Sequence, residues 1–266
     1  MSYWKGKKVL ITGGASGIGK MMAEKTLASG AQVFVWDRDA AALDRLLEEN
    51  RGKSISGLAI DITDSEKVYA SAQALIQEHG GIDILINNAG IIVGKYFTEH
   101  TSEDIDRTMA VNTISLMHLA SAFLPTMIKK GYGHICNIAS SAGLTSNPKM
   151  SVYVGSKWAV VGWSDSLHLE MKIGKTGVEV TTVTPYYIHT GMFDGVRSPI
   201  VPILKPESVT KSILNGIEKK KRFVSMPWSV RFVRLAQALL PASGFDLVVG
   251  RWLGVYDTMT HFTGRK

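Results

Sequence analysis

The sequence predicts a single α/β domain, in which a doubly wound parallel sheet of about seven strands carries helices on both faces. Two observations lead to this prediction. Short apolar runs alternate with helix-length stretches from residue 8 to residue 226, and parallel strands need crossovers of that length, which are almost always right-handed. No repeat, low-complexity tract or linker divides the 266 residues, so the domain is expected to span residues 1–266.

The strands are predicted where apolar, often β-branched residues run up to a glycine or a polar residue. They cover residues 9–12, 32–36, 55–60, 82–86, 134–138, 178–183 and 223–226. The helices between them cover residues 17–28, 40–49, 65–78, 101–130, 152–172 and 206–220. Two helix starts have capping residues: Asp64 or Ser65 before the third helix, and a Thr-Ser-Glu-Asp sequence at 101–104.

The net positive charge of the chain comes entirely from its last 48 residues. The sequence holds 30 Lys and Arg residues against 23 Asp and Glu, a net charge of +7. Nine of the basic residues and two of the acidic ones lie in 219–266, which leaves 21 of each in the first 218 residues. Nucleic-acid binding is not expected, because the predicted sheet-forming part has no basic surplus.

Cysteine and histidine usage argues against a disulfide framework and a metal site. Cys136, the single cysteine, lies in a predicted buried strand, and the seven histidines show no paired ligand spacing. The apolar run near the N-terminus, residues 9–11, is too short for a secretory signal or a membrane-spanning helix. We therefore expect a cytoplasmic protein without a resident metal.

A glycine-rich loop, TGGASGIG at 12–19, joins the first strand to the first helix. Glycine lets a backbone turn sharply and approach a pyrophosphate, and the following helix N-terminus favours an anion. A plain tight turn is the alternative, but the strand–loop–helix context favours a dinucleotide. Asp37 lies at the end of the second strand. It favours NAD(H), because its carboxylate would accept hydrogen bonds from the ribose hydroxyls and repel a 2′-phosphate. Arg38 keeps NADP(H) open as the alternative.

Tyr153 and Lys157 lie four residues apart at the start of a predicted helix and therefore share one face. A tyrosine with its usual pKa near 10 is a poor base at neutral pH, and a nearby ammonium favours the phenolate. Alone, such a pair is most often a solvated helix face. Together with a dinucleotide loop, it indicates acid–base catalysis.

These motifs resemble those of the short-chain dehydrogenase/reductase family. The loop at 12–19 is similar to the family's TGxxxGxG, NNAG at 87–90 to its NNAG segment, and Tyr153 with Lys157 to its YxxxK pair. Asn112 follows the NNAG segment by 22 residues, where members carry a helix asparagine, and Ser140 precedes Tyr153 by 13 residues, the spacing of the catalytic serine. The resemblance covers residues 7–190.

The resemblance implies a Rossmann fold and hydride transfer between nicotinamide C4 and a carbinol or carbonyl carbon. Tyr153 would exchange the hydroxyl proton and Ser140, or alternatively Ser141, would hydrogen-bond the oxygen. Lys157 would hold the ribose and lower the tyrosine pKa, and Asn112 would pass the proton onward through water. The implied cofactor-binding residues are Gly13, Ser16, Gly17, Ile18, Gly19, Asp37, Arg38, Asp61, Ile62, Asn88, Ala89, Gly90, Tyr153, Lys157, Pro185, Ile188 and Thr190.

The substrate side departs from the family pattern at one position. Tyr186 follows Pro185 where members usually have glycine, which would reshape the floor of the site. Residues 191–206 fall where the family has its mobile substrate lid, and their apolar side chains, Pro199 and Ile200 included, favour a lipophilic alcohol. The substrate residues are expected to be Ser140, Tyr153, Tyr186, Met192 and Phe193. The C-terminal extension, the WD at 36–37 and the HTGM run at 189–192 most resemble the retinol and 17-beta-hydroxysteroid dehydrogenase branch.

The extension, residues 223–266, is basic and amphipathic. Trp228, Phe232, Leu235 and Leu239 share one helical face, with Arg231 and Arg234 beside it. This face could pack on the core or on a subunit partner, within a homodimer or homotetramer. It could instead make a peripheral membrane contact through 228–266, with the basic residues on anionic headgroups.

Three functions remain to be compared. The leading prediction is an NAD-dependent alcohol dehydrogenase or ketoreductase for retinoid-, steroid- or fatty-alcohol-like substrates. The alternative is a non-catalytic NAD(P)-binding regulatory protein on the same fold, against which the full set of Ser140, Tyr153, Lys157 and Asn112 argues. A nucleic-acid binder is the third and is disfavoured by the distribution of charge.

Overall fold

The computed structural model describes residues 2–198 and 201–264. Pro199 and Ile200 of the expected lid, and Arg265 and Lys266 of the basic tail, lie outside the described residues. Seven strands form one parallel sheet, β1 (Lys8–Thr12), β2 (Gln32–Asp37), β3 (Ile55–Ala59), β4 (Ile84–Asn87), β5 (Gly133–Ile138), β6 (Val178–Pro185) and β7 (Phe223–Met226). Their order, β3-β2-β1-β4-β5-β6-β7, reverses direction between β1 and β4, which confirms the doubly wound fold.

Nine helices accompany the strands in the described part of the chain. They are α1 (Gly17–Ala28), α2 (Ala40–Glu49), α3 (Ser65–His79), α4 (Ser102–Met109), α5 (Ser115–Lys130), α6 (Ser151–Ile173), α7 (Pro206–Glu218), α8 (Val233–Leu239) and α9 (Ala242–Phe245). Asp64 caps α3 by accepting a hydrogen bond from the Lys67 N–H, and Thr101 caps α4 through the Asp104 N–H. The two sequence-based caps are therefore confirmed.

The core forms one layer on each face of the sheet. Successive strand residues alternate between the two, so that Val9 and Ile11 pack with α1, α2 and α7, whereas Leu10 packs with α3, α5 and α6. All three side chains are fully buried. This alternation explains why the strands appear in the sequence as nearly continuous apolar runs.

The helix predicted at 101–130 is interrupted. A π-turn at Ala110–Ile114 separates α4 from α5 and carries Asn112. The whole stretch, Ser102–Lys130, is long and apolar enough to cross a membrane by length and composition. However, Leu119 and Phe123 are fully buried against the sheet, and Leu116 is fully buried against α6, as in the core helix of a globular fold.

The C-terminal extension is less regular than the sequence suggests. Residues Trp228–Phe232 form a 3₁₀ turn, α8 and the short α9 follow, and a π-turn covers Asp246–Trp252. The apolar face predicted here does not pack on the core: Trp228 is 67% exposed, Leu235 53% and Leu239 72%. The hypothesis that these side chains pack on the core of their own chain is therefore wrong.

Candidate active site

The glycine-rich loop crosses the carboxyl edge of the sheet between β1 and α1. Gly13 has φ +62°, and a Cβ added there would lie 2.9 Å from the Cα of Ala89. A Cβ at Gly19 would overlap the carbonyl oxygen of Gly13. Both positions therefore require glycine, and the loop leaves the N-terminus of α1 open, with Ser16 at the N-cap making no side-chain capping bond. This geometry fits a bound pyrophosphate.

The NNAG segment fastens this loop to β4. Asn88 Nδ2 donates hydrogen bonds to the carbonyl oxygens of Thr12 and Gly13, both at 3.0 Å. In return, Thr12 Oγ1 accepts from the backbone N–H groups of Asn88, at 3.1 Å, and Ala89, at 3.2 Å. The Asn88 side chain therefore stabilises the conformation of the glycine-rich loop.

Asp37 ends β2 beside the loop, as the sequence predicts. Its Oδ2 accepts a hydrogen bond from the Ala15 N–H at 2.9 Å, and its Oδ1 accepts from the Asp39 N–H at 3.1 Å. Asp61 lies two residues beyond β3. Burial raises the pKa of its carboxyl, but hydrogen bonds from Thr63 and the charge of Arg38 outweigh this, and the net pKa is lowered.

Three further cofactor-side residues differ in how much of their side chain is available. The Ile62 side chain is buried in the core layer that contains Leu10, so this position offers mainly its backbone. Ile18 packs against the opposite core layer. Thr190 faces the glycine loop, where its Cβ lies 3.8 Å from a Cβ built on Gly17.

Tyr153 and Lys157 lie on one face of α6, and both are buried. The Lys157 Nζ donates a hydrogen bond to the carbonyl oxygen of Ile138 at 2.9 Å and lies 5.7 Å from the centre of the Tyr153 ring. Gly90 adjoins the same ammonium, 3.6 Å from a Cβ built on that glycine. The end of β5, the NNAG segment and α6 thus meet at Lys157.

Burial dominates the protonation of this pair. It raises the pKa of Tyr153 to about 12, although a hydrogen bond with Ser140 opposes the shift. It also lowers the pKa of Lys157 to about 8. The lowered tyrosine pKa expected from the sequence is therefore not a property of the protein groups alone, because desolvation disfavours the phenolate more than its neighbours favour it.

Ser140 follows β5, and its hydroxyl acts to lower the pKa of Tyr153 against the effect of burial. Its Oγ accepts a hydrogen bond from the Ala142 N–H at 3.1 Å and donates to the Pro185 carbonyl oxygen at 3.5 Å. The turn at 141–143 and the end of β6 hold the hydroxyl in place.

Asn112 is fully engaged with its neighbours. Its Oδ1 accepts from the Ile91 N–H at 2.8 Å, and its Nδ2 donates to the Ile91 carbonyl oxygen at 2.9 Å and to Ser156 Oγ at 3.1 Å. The side chain therefore ties the π-turn to α6 and to the chain after β4.

The substrate side is a chamber with an aromatic wall, lined by both apolar and polar side chains. The Phe193 ring stands edge-on to Tyr153, with centroids 6.1 Å apart, and to Tyr187, at 5.0 Å. Tyr186 packs edge-on against Tyr187 at 4.6 Å and forms a hydrogen bond of 3.0 Å with Ser198. Tyr186 lines a small cavity of about 20 Å³ together with Ser140. Met192, expected at the substrate, is not among the described residues that line it.

The C-terminal extension supplies part of this chamber, which sequence reasoning missed. Met259 is buried in the chamber cluster and Phe262 packs against it. The segment is joined to the lid by hydrogen bonds from the Arg197 N–H to the Thr258 carbonyl oxygen, at 3.1 Å, and from the Thr263 N–H to the Asp194 carbonyl oxygen, at 2.9 Å. Nothing local in the sequence at 258–263 signals this role, because the contacts span more than sixty residues.

Comparison with known proteins identifies the class. Residues 7–200 match the short chain dehydrogenase family, and the chain belongs to that family of oxidoreductases. Among solved structures, one from Burkholderia phymatum in complex with NAD has a TM-score of 0.80 and 26% identity, covering 94% of this chain and 97% of the other. A metagenomic member in complex with NADP has a TM-score of 0.71 and 28% identity, covering 84% and 95%. A nicotinamide cofactor is therefore established for the class.

The similar curated proteins narrow the branch. Epidermal retinol dehydrogenase 2 of Mus musculus is 33% identical over 98% of this chain and 86% of its own length. Retinol dehydrogenase 10 of Homo sapiens is 32% identical over 98% and 86%. Estradiol 17-beta-dehydrogenase 11 of Mus musculus is 30% identical over 89% and 80%. The resemblance to the retinol and 17-beta-hydroxysteroid dehydrogenase branch is confirmed. Within the described residues, no cluster of metal ligands occurs.

Proposed function

We propose that this protein oxidises or reduces a lipophilic alcohol or carbonyl compound with NAD(H), as one domain with its lid at 191–206 and its extension at 223–266. The observation that carries the proposal is the meeting of Ser140, Tyr153 and Lys157 between a dinucleotide loop and a chamber with an aromatic wall. The cofactor supplies the hydride acceptor or donor when it is bound. The residues of this chain bind it, orient the substrate and move the proton.

Each polar side chain has a distinct role. Ser140 holds the substrate oxygen near the Tyr153 hydroxyl, which takes or returns the proton. Lys157 spends one N–H on Ile138, which leaves two N–H groups for the ribose hydroxyls, and its positive charge favours the tyrosinate as it forms. Asn112 orients the water through which the proton passes towards solvent.

Tyr153→Phe tests the acid–base role and also separates an enzyme from a regulatory cofactor-binding protein. We expect turnover to fall by about 10²–10⁴-fold, while NADH binding measured by fluorescence is unchanged. Tyr69→Phe, at a half-exposed tyrosine on α3, is the matched control. Unchanged turnover in Tyr153→Phe refutes the assignment, and a wild-type protein that binds NADH without any turnover supports the regulatory alternative.

The preference for NAD(H) rests on Asp37. Its carboxylate is held in place by Ala15 and Asp39, and it would lie against the extra phosphate of NADP(H). The nearby Arg38 acts on Asp61, so its charge is partly directed away from Asp37. We expect Asp37→Ala to raise kcat/KM for NADP(H) relative to NAD(H) and Asp44→Ala on α2 to change nothing. A wild type that prefers NADP(H) contradicts the proposal.

The substrate class follows from the chamber lining. A hydrophobic cluster that includes Ala142, Met150, Val196 and Met259 forms much of it, and the similar proteins are named for retinol and estradiol. We therefore expect turnover of retinoids, steroids or long-chain alcohols, and little of sugar alcohols, in a spectrophotometric screen at 340 nm. Preference for a sugar alcohol would contradict the apolar assignment.

We also propose that the enzyme is cytoplasmic and touches an anionic membrane surface through residues 228–253. Trp228, Leu239 and Trp252 are each about two-thirds exposed, and Arg231 and Arg234 lie next to them. The segment packs beside the chain that follows Ser140, since Gln237 Nε2 donates a hydrogen bond to the Leu144 carbonyl oxygen at 2.9 Å. A membrane-bound alcohol would thus have a short path to the chamber.

Liposome sedimentation tests the membrane contact. Deleting 228–266 would remove chamber residues, so Trp228→Ser with Trp252→Ser is the sharper variant. We expect wild type to pellet with phosphatidylserine-containing vesicles at low salt but not with neutral ones, and the double variant to stay in the supernatant. Wild type that does not pellet refutes the contact.

A homodimer or homotetramer is proposed on separate grounds. Trp158, Leu169 and Ile173 leave apolar surface exposed along α6, as Ile128 does on α5. Light scattering coupled to size-exclusion chromatography measures the mass, and a monomer at micromolar concentration refutes the proposal.

A further inference from the structure

Two buried polar atoms in the substrate chamber have no hydrogen-bond partner among the described residues. They are Thr145 Oγ1 and Asn147 Oδ1. Both residues line the same cavity as Ser140. A buried polar atom without a partner costs about 1–3 kcal/mol, so two in one cavity call for a hydrogen-bonding partner, which a ligand group or a water molecule can supply.

The Asn147 amide is oriented by its neighbours. The Thr258 hydroxyl donates to the Val255 carbonyl oxygen at 2.9 Å and is therefore an acceptor for Asn147 Nδ2, 2.8 Å away. The same Nδ2 donates to the Tyr187 hydroxyl at 2.9 Å. Both amide hydrogens are thereby used, and the carbonyl oxygen is the atom left free.

Asn147 lines the inner cavity, and its unpaired oxygen is buried. Asn147 also borders a groove on the outer side of α6, which is lined by Trp158 and Tyr256. That groove is open to solvent, whereas Asn147 Oδ1 is shielded from it. Thr145 lines the inner cavity and not the outer groove.

The chemistry of the two atoms selects one kind of partner. The amide oxygen of Asn147 can only accept a hydrogen bond, whereas the Thr145 hydroxyl can donate one. A hydroxyl group satisfies both, by donating to Asn147 and accepting from Thr145. An ether or ketone oxygen would satisfy Thr145 alone, and a hydrocarbon would satisfy neither.

We propose that Thr145 and Asn147 form a subsite for a second hydroxyl group of the substrate, apart from the hydroxyl that reacts at Ser140 and Tyr153. The preferred substrate is then a lipophilic diol, such as a hydroxylated steroid alcohol, and not a hydrocarbon with a single alcohol. This inference rests on the proposed function, and it names the substrate class within it. A site with buried polar atoms discriminates strongly against a ligand that leaves them unpaired.

Matched ligand pairs and a matched variant pair test the subsite. The pairs are estradiol with 3-deoxyestradiol, and 1,12-dodecanediol with 1-dodecanol. Thr145→Val removes a hydroxyl that has no protein partner, so the fold should tolerate it. Thr108→Val is the control, because Thr108 on α4 also has a buried, unpaired hydroxyl but does not line the cavity. Asn147 is left intact because it holds Tyr187 and Thr258.

We expect wild type and Thr108→Val to favour the diol of at least one pair in kcat/KM, and Thr145→Val to reduce that preference roughly fivefold to tenfold. The same ratio in wild type and Thr145→Val overturns the subsite while leaving the dehydrogenase intact, as expected if water fills it. If no alcohol is turned over, the proposed function fails. In that case, calorimetry measures how tightly the diol and the mono-alcohol bind to the protein–NADH complex. Equal affinities overturn the subsite. Tighter binding of the diol that is lost in Thr145→Val supports the subsite.

Discussion

Lys157 is expected to lower the stability of the fold that it serves. Burial lowers its pKa from 10.5 to about 8, and each pKa unit corresponds to about 1.36 kcal/mol. Holding the charged form in the folded protein at pH 7 therefore costs about 3 kcal/mol relative to the unfolded chain. In Lys157→Met, this cost disappears, but the Ile138 carbonyl oxygen loses its partner, at a cost of roughly 1–2 kcal/mol. The variant should unfold with a free energy about 1–2 kcal/mol higher than wild type at pH 7.

The sign of the pH dependence follows from the same shift. Between about pH 8 and 10.5, the unfolded chain holds a proton on Lys157 that the folded chain has lost, so the contribution of this residue to wild-type stability rises with pH. The advantage of Lys157→Met should therefore shrink by about 2 kcal/mol between pH 7 and pH 9.5.

Urea denaturation of both proteins at the two pH values measures the difference. Lys172→Met, at an exposed lysine of the same helix, is the control and should show no such change. A Lys157→Met protein that is less stable than wild type at pH 7, with a pH-independent difference, would refute the reasoning, because hydrogen bonding and not desolvation would then dominate.

Other consequences are open to direct measurement. Gly19→Ala should abolish NADH binding, measured by fluorescence, because its Cβ would overlap the Gly13 oxygen; binding within twofold of wild type would contradict the geometry of the loop. Asn88→Leu should lower the thermal midpoint and weaken NADH binding, since two hydrogen bonds to the loop are lost at about 1 kcal/mol each; an unchanged midpoint would remove its structural role. Thr258→Val should raise KM for the alcohol more than KM for NAD in steady-state kinetics, because it disturbs only the chamber wall, and the reverse pattern would be evidence against it.

The residues that the sequence predicts well are those whose positions are set locally. The glycines at 13 and 19 and the pair Tyr153 and Lys157 owe their geometry to one turn and one helix face, so spacing alone predicts them. The alternation of Val9, Leu10 and Ile11 between the two faces of the sheet follows in the same way once the strand is located, because a strand has a fixed period of two.

What the sequence could not supply depends on contacts between distant segments. Asn147 and Thr258 are 111 residues apart and meet only through the fold, and no periodicity marks either. Burial raises the pKa of Tyr153 in the protein without its cofactor, and the depth of burial follows from packing around α6 and not from the Tyr-to-Lys spacing. Asn112 was found by its position, but the use of its side chain on Ile91 was not.

Because of the π-turn between α4 and α5, the number of residues in this part of the chain cannot change by even one without misdirecting side chains. One turn of an α-helix holds 3.6 residues, so the extra residue rotates everything after it by about 100° relative to what comes before. Asn112 can therefore face Ile91 and Ser156 while Leu119 and Phe123 still face the sheet. A one-residue deletion here would give a more regular helix and would aim either the amide or the core side chains in the wrong direction.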